Sequence, residues 1–78
     1  MKNDFDVFYK KIGKLIKAKR LEKGLTQQQL ADKIPKFDRA KISDMENGKE
    51  DFYFSTLAKI CNALGTHFEL ILKDQKKN

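Results

Sequence analysis

Two short amphipathic segments separated by a proline constrain this chain more than any other feature in it. Leu30, Ala31 and Ile34 recur at helical spacing behind Thr26, and Ile42, Met45 and Glu46 do the same behind Asp38. Thr and Asp are strong N-caps, because their side-chain oxygens accept the unpaired N–H groups of a first helical turn. Pro35 bars the preceding residue from helical backbone, so the first segment stops at or before Ile34. The pattern predicts helices over about residues 27–33 and 39–46. Neither is long enough to be stable alone in water. The rest of the chain must supply the surface on which they fold.

That support is legible on both sides. From about Asp6 to Lys23, Phe8, Ile12, Leu15, Ile16 and Leu21 recur three and four apart, which predicts a helix capped by Asp4 or Asp6. After the polar connection Lys49-Glu50-Asp51 and the aromatic run Phe52-Tyr53-Phe54, Ser55 is the expected N-cap of a helix over 56–64, with Leu57, Ile60, Cys61 and Leu64 on one face. Gly65 ends it. In His67-Phe68-Glu69-Leu70-Ile71-Leu72 the residues Phe68, Leu70 and Leu72 alternate with the others. This period of two predicts a strand within about 66–73, although a helix would align Phe68, Ile71 and Leu72. No other segment offers a convincing strand partner. The simplest partner is the same strand of a second copy across a two-fold axis, with Phe68, Leu70 and Leu72 at the dimer interface. A strand folded back on its own helices, or an unstructured tail, is the alternative.

At 78 residues the chain is one domain, 1–78, with a core over 6–65. The N-terminus lacks the apolar stretch of a secretory signal, and no apolar run approaches the roughly 20 residues of a membrane span. Cys61 is the single cysteine, so no internal disulfide forms. A cytoplasmic location is expected. The 17 Lys and Arg outnumber the 11 Asp and Glu, for a net charge of +6. On so small a body this favours a polyanionic partner, or serves only solubility, and placement of the charges has to decide.

Catalytic chemistry is poorly represented. His67 and Cys61, the only residues of their types, fall on different predicted elements and do not suggest a nucleophile and its base. No Cys/His cluster has metal spacing, and Gly13, Gly24, Gly48 and Gly65 are too scattered for a phosphate loop. No enzyme activity and no cofactor are expected.

Nucleic-acid binding fits the pattern better. Two short helices joined by a brief turn form a helix-turn-helix, whose second helix enters a major groove. Ile42, Met45 and Glu46 point inward, so Arg39, Ala40, Lys41, Ser43 and Asp44 point outward. Arg39 suits a bidentate contact with guanine, Ala40 a thymine methyl, and Lys41 a base edge or a phosphate. Gln27 and Gln28 at the start of the first helix suit a phosphate, as do the donors of the turn Asn47-Gly48-Lys49. A solvated polar helix face is the alternative reading of the same residues.

The run Leu15 to Gln27, followed by Leu30-Ala31, Ile42-Ser43, Glu46-Asn47-Gly48, Leu57, Ile60 and Ala63-Leu64-Gly65, resembles the Cro/repressor-type (Xre) helix-turn-helix family. The ending, Gly65 into a strand and a basic tail, is more narrowly similar to HipB-like antitoxins. The resemblance implies an all-α, lambda-repressor-like domain of four to five helices, with the C-terminal β-strand paired across a homodimer. It implies that Gln27 contacts the DNA backbone and orders its neighbours, that Arg39, Ala40 and Asp44 read bases beside Lys41 and Ser43, and that Asn47 and Lys49 meet phosphates. It also implies an ion pair between Arg20 and Glu46. Pro35-Lys36-Phe37 makes the turn about one residue longer than the family's, and Asp44 puts a negative charge on the reading face. Asp44 could accept from cytosine, orient Arg39 or Lys41, or stay clear of DNA. The implied function is repression of a palindromic operator, as the antitoxin of a HipA-like kinase toxin. A stand-alone phage-type or element-encoded regulator, and a protein-interaction module without DNA binding, are the competing expectations.

Overall fold

The computed structural model describes residues 4–49 and 52–67. Four helices follow in order: α1, Asp4–Glu22; α2, Gln27–Asp32; α3, Arg39–Glu46; and α4, Phe54–Ala63. No strand occurs among the described residues, and Phe68, Leu70 and Leu72, with the predicted strand, lie outside them. The fold is all-α. Ile12 and Ile16 of α1, Leu30 and Ala31 of α2, Ile42 and Met45 of α3, and Leu57, Ile60 and Cys61 of α4 form one core, closed by Ile34 and Leu64. The two short helices are thus held by apolar burial contributed from every helix.

The two predicted caps of this pair are in place. Thr26 Oγ1 accepts from Gln29 N at 3.0 Å, while Gln29 Oε1 accepts from Thr26 N at 2.9 Å, a reciprocal capping box. Asp38 Oδ1 accepts from Lys41 N at 2.8 Å and fixes the start of α3. Between them, Phe37 N donates to Ile34 O at 3.2 Å, closing a turn with Pro35 second and Lys36 third. Lys36 has φ 68°, the left-handed conformation that this position of a type II turn demands and that a Cβ disfavours. Lys36→Gly relieves roughly 1–2 kcal/mol of steric cost and adds about 0.5–1 kcal/mol of unfolded-chain entropy. A net gain of about 0.5 kcal/mol is expected, read as a higher urea midpoint at unchanged slope.

Three sequence expectations need correction. Helix α1 already includes Asp4, so Asp6 lies within its first turn and is no cap. Its buried stripe runs through Ile12, Gly13, Ile16 and Arg20, which leaves Phe8 and Leu21 at 43% and 57% exposure instead of in the core. Helix α4 starts at Phe54, with Tyr53 and not Ser55 as its N-cap, and the Tyr53 side chain makes no capping hydrogen bond. Thr56 N and Leu57 N both donate to Tyr53 O. Burial of Leu57 sets the phase of this helix, and the backbone carbonyl of Tyr53 supplies what a serine hydroxyl was expected to supply.

Helix α3 crosses α1 closely enough at Gly13 to exclude a side chain there. A Cβ placed on Gly13 would lie 2.3 Å from Met45 O and 2.6 Å from Glu46 O. Just beyond α3, Gly48 adopts φ 65°, and a Cβ there would meet Lys10 Cγ at 2.6 Å. These two glycines let the end of α3 lie directly on α1. Helix α3 therefore rests on α1 at one end and on α2 along its side, with its remaining face turned outward.

Candidate nucleic-acid interface

Because Ile42 and Met45 must be buried, the geometry of a helix fixes what α3 presents to solvent. Arg39 and Ala40 are exposed in its first turn, and Ser43 and Asp44 are half-buried in its second. Ala40 and Asp44 are four apart and share one line along the helix. Lys41 stands apart from them. It is half-buried, with Nζ 5.6 Å from the centroid of the Phe37 ring, and it lines a cleft with Tyr9, Phe52, Tyr53 and Thr56. The sequence placed Lys41 among the outward residues; the structure sets it on the flank of α3, against aromatic side chains.

The flanking polar residues are similarly organised by their own helices. Asn47 Nδ2 donates to Ser43 O at 2.9 Å and lies 3.4 Å from Ser43 Oγ, so its amide is turned back on α3. Lys49 N donates to Asp44 O at 2.9 Å, and the residue is exposed. Gln28 Nε2 donates to Asp32 Oδ1 at 2.8 Å along α2.

Beneath this face lies a buried polar network. Arg20 is 6% exposed and Glu46 5%. Arg20 Nε donates to Glu46 Oε2 at 2.6 Å and Nη2 donates to Oε1 at 3.0 Å, a two-point pairing of guanidinium and carboxylate. The third guanidinium nitrogen, Nη1, donates to Leu25 O at 2.7 Å. Gln27 Nε2 donates to Glu46 Oε1 at 3.1 Å. One carboxylate at the end of α3 thus gathers α1 through Arg20 and the start of α2 through Gln27. Gln27 and Glu46 were each singled out in the sequence, but their pairing was not. They are 19 residues apart on separate helices, and only the packing of α2 on α3 brings them together.

Other reactive side chains are placed unhelpfully for chemistry. Cys61 is buried in the core, and burial pushes its thiol up, which holds it as a neutral S–H. His67 is exposed at the end of the described chain. Among the described residues no three His, Cys, Asp or Glu side chains form a group that could hold a metal, and no helix is long and apolar enough to cross a membrane.

Comparison with known proteins agrees with this geometry. The helix-turn-helix family model matches residues 16–71. The sequence matches none of the curated proteins. Among solved structures, the restriction-modification controller protein C.Esp1396I, as a tetramer in complex with its natural 35 base-pair operator, is 31% identical, with a TM-score of 0.77 over 97% of this chain and 100% of that one. The clp gene regulator ClgR from Corynebacterium glutamicum is 26% identical, with a TM-score of 0.79 over 85% of this chain and 83% of its own. With its capped pair of short helices, its Arg20–Glu46 anchor and these matches, the chain belongs to the Cro/repressor-type helix-turn-helix family of DNA-binding proteins.

Proposed function

We propose that the protein is a sequence-specific transcriptional repressor that acts in the cytoplasm as a homodimer on a palindromic operator. The observation that carries this reading is the fixed presentation of α3. Asp38 caps it, the Arg20–Glu46 pair holds its far end, and Arg39, Ala40, Ser43 and Asp44 remain on its outer side. In this reading Arg39, Ala40 and Asp44 contact base edges, with Ser43 beside them and Lys41 reaching from the flank. Gln27, Gln28, Asn47 and Lys49 meet the backbone. Two copies place their α3 helices in successive major grooves, roughly 34–36 Å apart. Phe68, Leu70 and Leu72 pair the copies.

Two side-chain truncations separate base reading from backbone contact. Arg39→Ala lowers operator affinity by about 1–3 kcal/mol and relaxes specificity at one base position. Lys49→Ala weakens all sequences alike and reduces the salt slope by about one. Both are read by fluorescence anisotropy on cognate and scrambled duplexes over a salt series. Unchanged specificity in Arg39→Ala contradicts the register assigned to α3. Salt-insensitive, sequence-blind binding contradicts the DNA reading and favours a protein-interaction module.

A stand-alone regulator is the second reading, supported by the likeness to a restriction-modification controller protein over nearly the full length of both chains. The HipB-like reading, with a HipA-like kinase bound away from α3, rests on the resemblance of the C-terminal residues. The adjacent reading frame distinguishes them, since a kinase-like neighbour favours the antitoxin and its absence favours the stand-alone regulator.

A further inference from the structure

We propose that Glu46 fixes the orientation of the Gln27 side-chain amide and thereby positions the backbone contact that Gln27 makes with DNA. The proposal rests on the DNA-binding reading above and gives Glu46 a second task besides pairing with Arg20. A carboxylate held by a guanidinium only accepts hydrogen bonds. Its Oε1 already receives Arg20 Nη2, and Gln27 Nε2 approaches the same oxygen at 3.1 Å. A glutamine amide has two ends of nearly equal shape, and an unanchored one presents either. Here the carbonyl end would set oxygen against oxygen, so the nitrogen end must face Glu46. One N–H is committed inward. The second N–H and the carbonyl oxygen remain for a ligand.

A phosphate oxygen is an acceptor only, so it takes the second N–H. The Gln27 nitrogen then bridges a buried carboxylate and a phosphate. Arg20 makes this tolerable. Its guanidinium lies against the same carboxylate and offsets the charge that a phosphate would otherwise face. Arg20 also holds Leu25 O, just before the Thr26 cap, so the start of α2 is tied to the same network. Glu46 and Arg20 are positioning residues that act through Gln27.

The test uses an operator duplex recovered by selection from random DNA. Each backbone phosphate is replaced in turn by a neutral methylphosphonate, and binding is measured by anisotropy with protein shown to be folded. In the wild type, replacing the phosphate that Gln27 meets in each half-site is expected to lower affinity about 3- to 10-fold, the effect of one hydrogen bond. Gln27→Ala abolishes that penalty, and so does the paired change Arg20→Met with Glu46→Leu, while penalties at other phosphates persist. A merely structural Glu46 would leave the Gln27-dependent penalty intact in the paired variant, and that result overturns the proposal. A wild-type NMR measurement decides the matter if the paired variant does not fold. The Gln27 side-chain amide should be as ordered as rigid backbone, with an order parameter of about 0.85, and a value below about 0.6 overturns the proposal. If selection recovers no operator, the DNA reading fails and this proposal with it.

Discussion

Gly13→Ala is expected to destabilise the protein by about 3 kcal/mol, although on an isolated helix the same change would be stabilising. Alanine gains up to about 1 kcal/mol over glycine in a helix interior. Against that, the added Cβ would lie 2.3 Å from Met45 O and 2.6 Å from Glu46 O. Both obstacles are backbone atoms of α3, and no rotamer change removes them. The helices must separate, which loosens Ile42 and Met45 in the core and moves Glu46 relative to Arg20. A loss of this size lowers Tm by roughly 12–24 °C for a domain near this length. Lys14→Ala, exposed on the same helix, should stay within about 0.5 kcal/mol. Urea denaturation of the two variants side by side checks the contrast. A Gly13→Ala protein as stable as the wild type would show that α1 and α3 do not cross this closely.

Arg20→Met carries the second large effect, a loss of about 3–5 kcal/mol. The cause is less the missing attraction than what is left behind. Glu46 is 5% exposed, and without the guanidinium its remaining partner in the network is the Gln27 amide. Glu46→Leu has the converse consequence, since Arg20 is 6% exposed and keeps only Leu25 O from this network. Changing both residues to apolar ones removes both stranded charges, and the double variant should lose much less than the sum of the single ones. The ion pair of Lys19 with Glu22, at 3.5 Å on the surface, provides the comparison. Its side chains are 28% and 65% exposed, so Lys19→Ala should cost at most about 1 kcal/mol. Equal losses for Arg20→Met and Lys19→Ala would refute the buried network.

The same network shows what the sequence could and could not tell. The bounds of α3 were legible because a strong cap, Asp38, and the spacing of Ile42, Met45 and Glu46 agree with one another. The start of α4 was not. Ser55 is a good cap by type, but the burial of Leu57 and the backbone of Tyr53 set the start two residues earlier than that local preference. Helix α1 was legible as a helix, yet its inward face was misplaced at both ends. The stripe passes through Arg20, a charged residue whose burial depends on a carboxylate 26 residues away. Periodicity of apolar residues instead favoured Leu21. The role of Gly13 was invisible for the same reason. A glycine within a helix is unremarkable until another backbone lies on it. Within the proposed reading surface, the outward direction of Arg39, Ala40, Ser43 and Asp44 followed from helical geometry. Lys41 turns aside toward Phe37, four residues back, and into a cleft whose other aromatic residues, Tyr9, Phe52 and Tyr53, are distant in sequence and so were concealed.

Selection of bound sequences from random DNA shows whether a pair of α3 helices reads a symmetric operator. The expected result is an inverted repeat whose half-site centres lie about one helical turn, roughly 10–10.5 base pairs, apart. Arg39→Ala is expected to lose preference at one position in each half-site. Recovery of no common sequence, or of a single unrepeated site insensitive to Arg39→Ala, would contradict this symmetric reading.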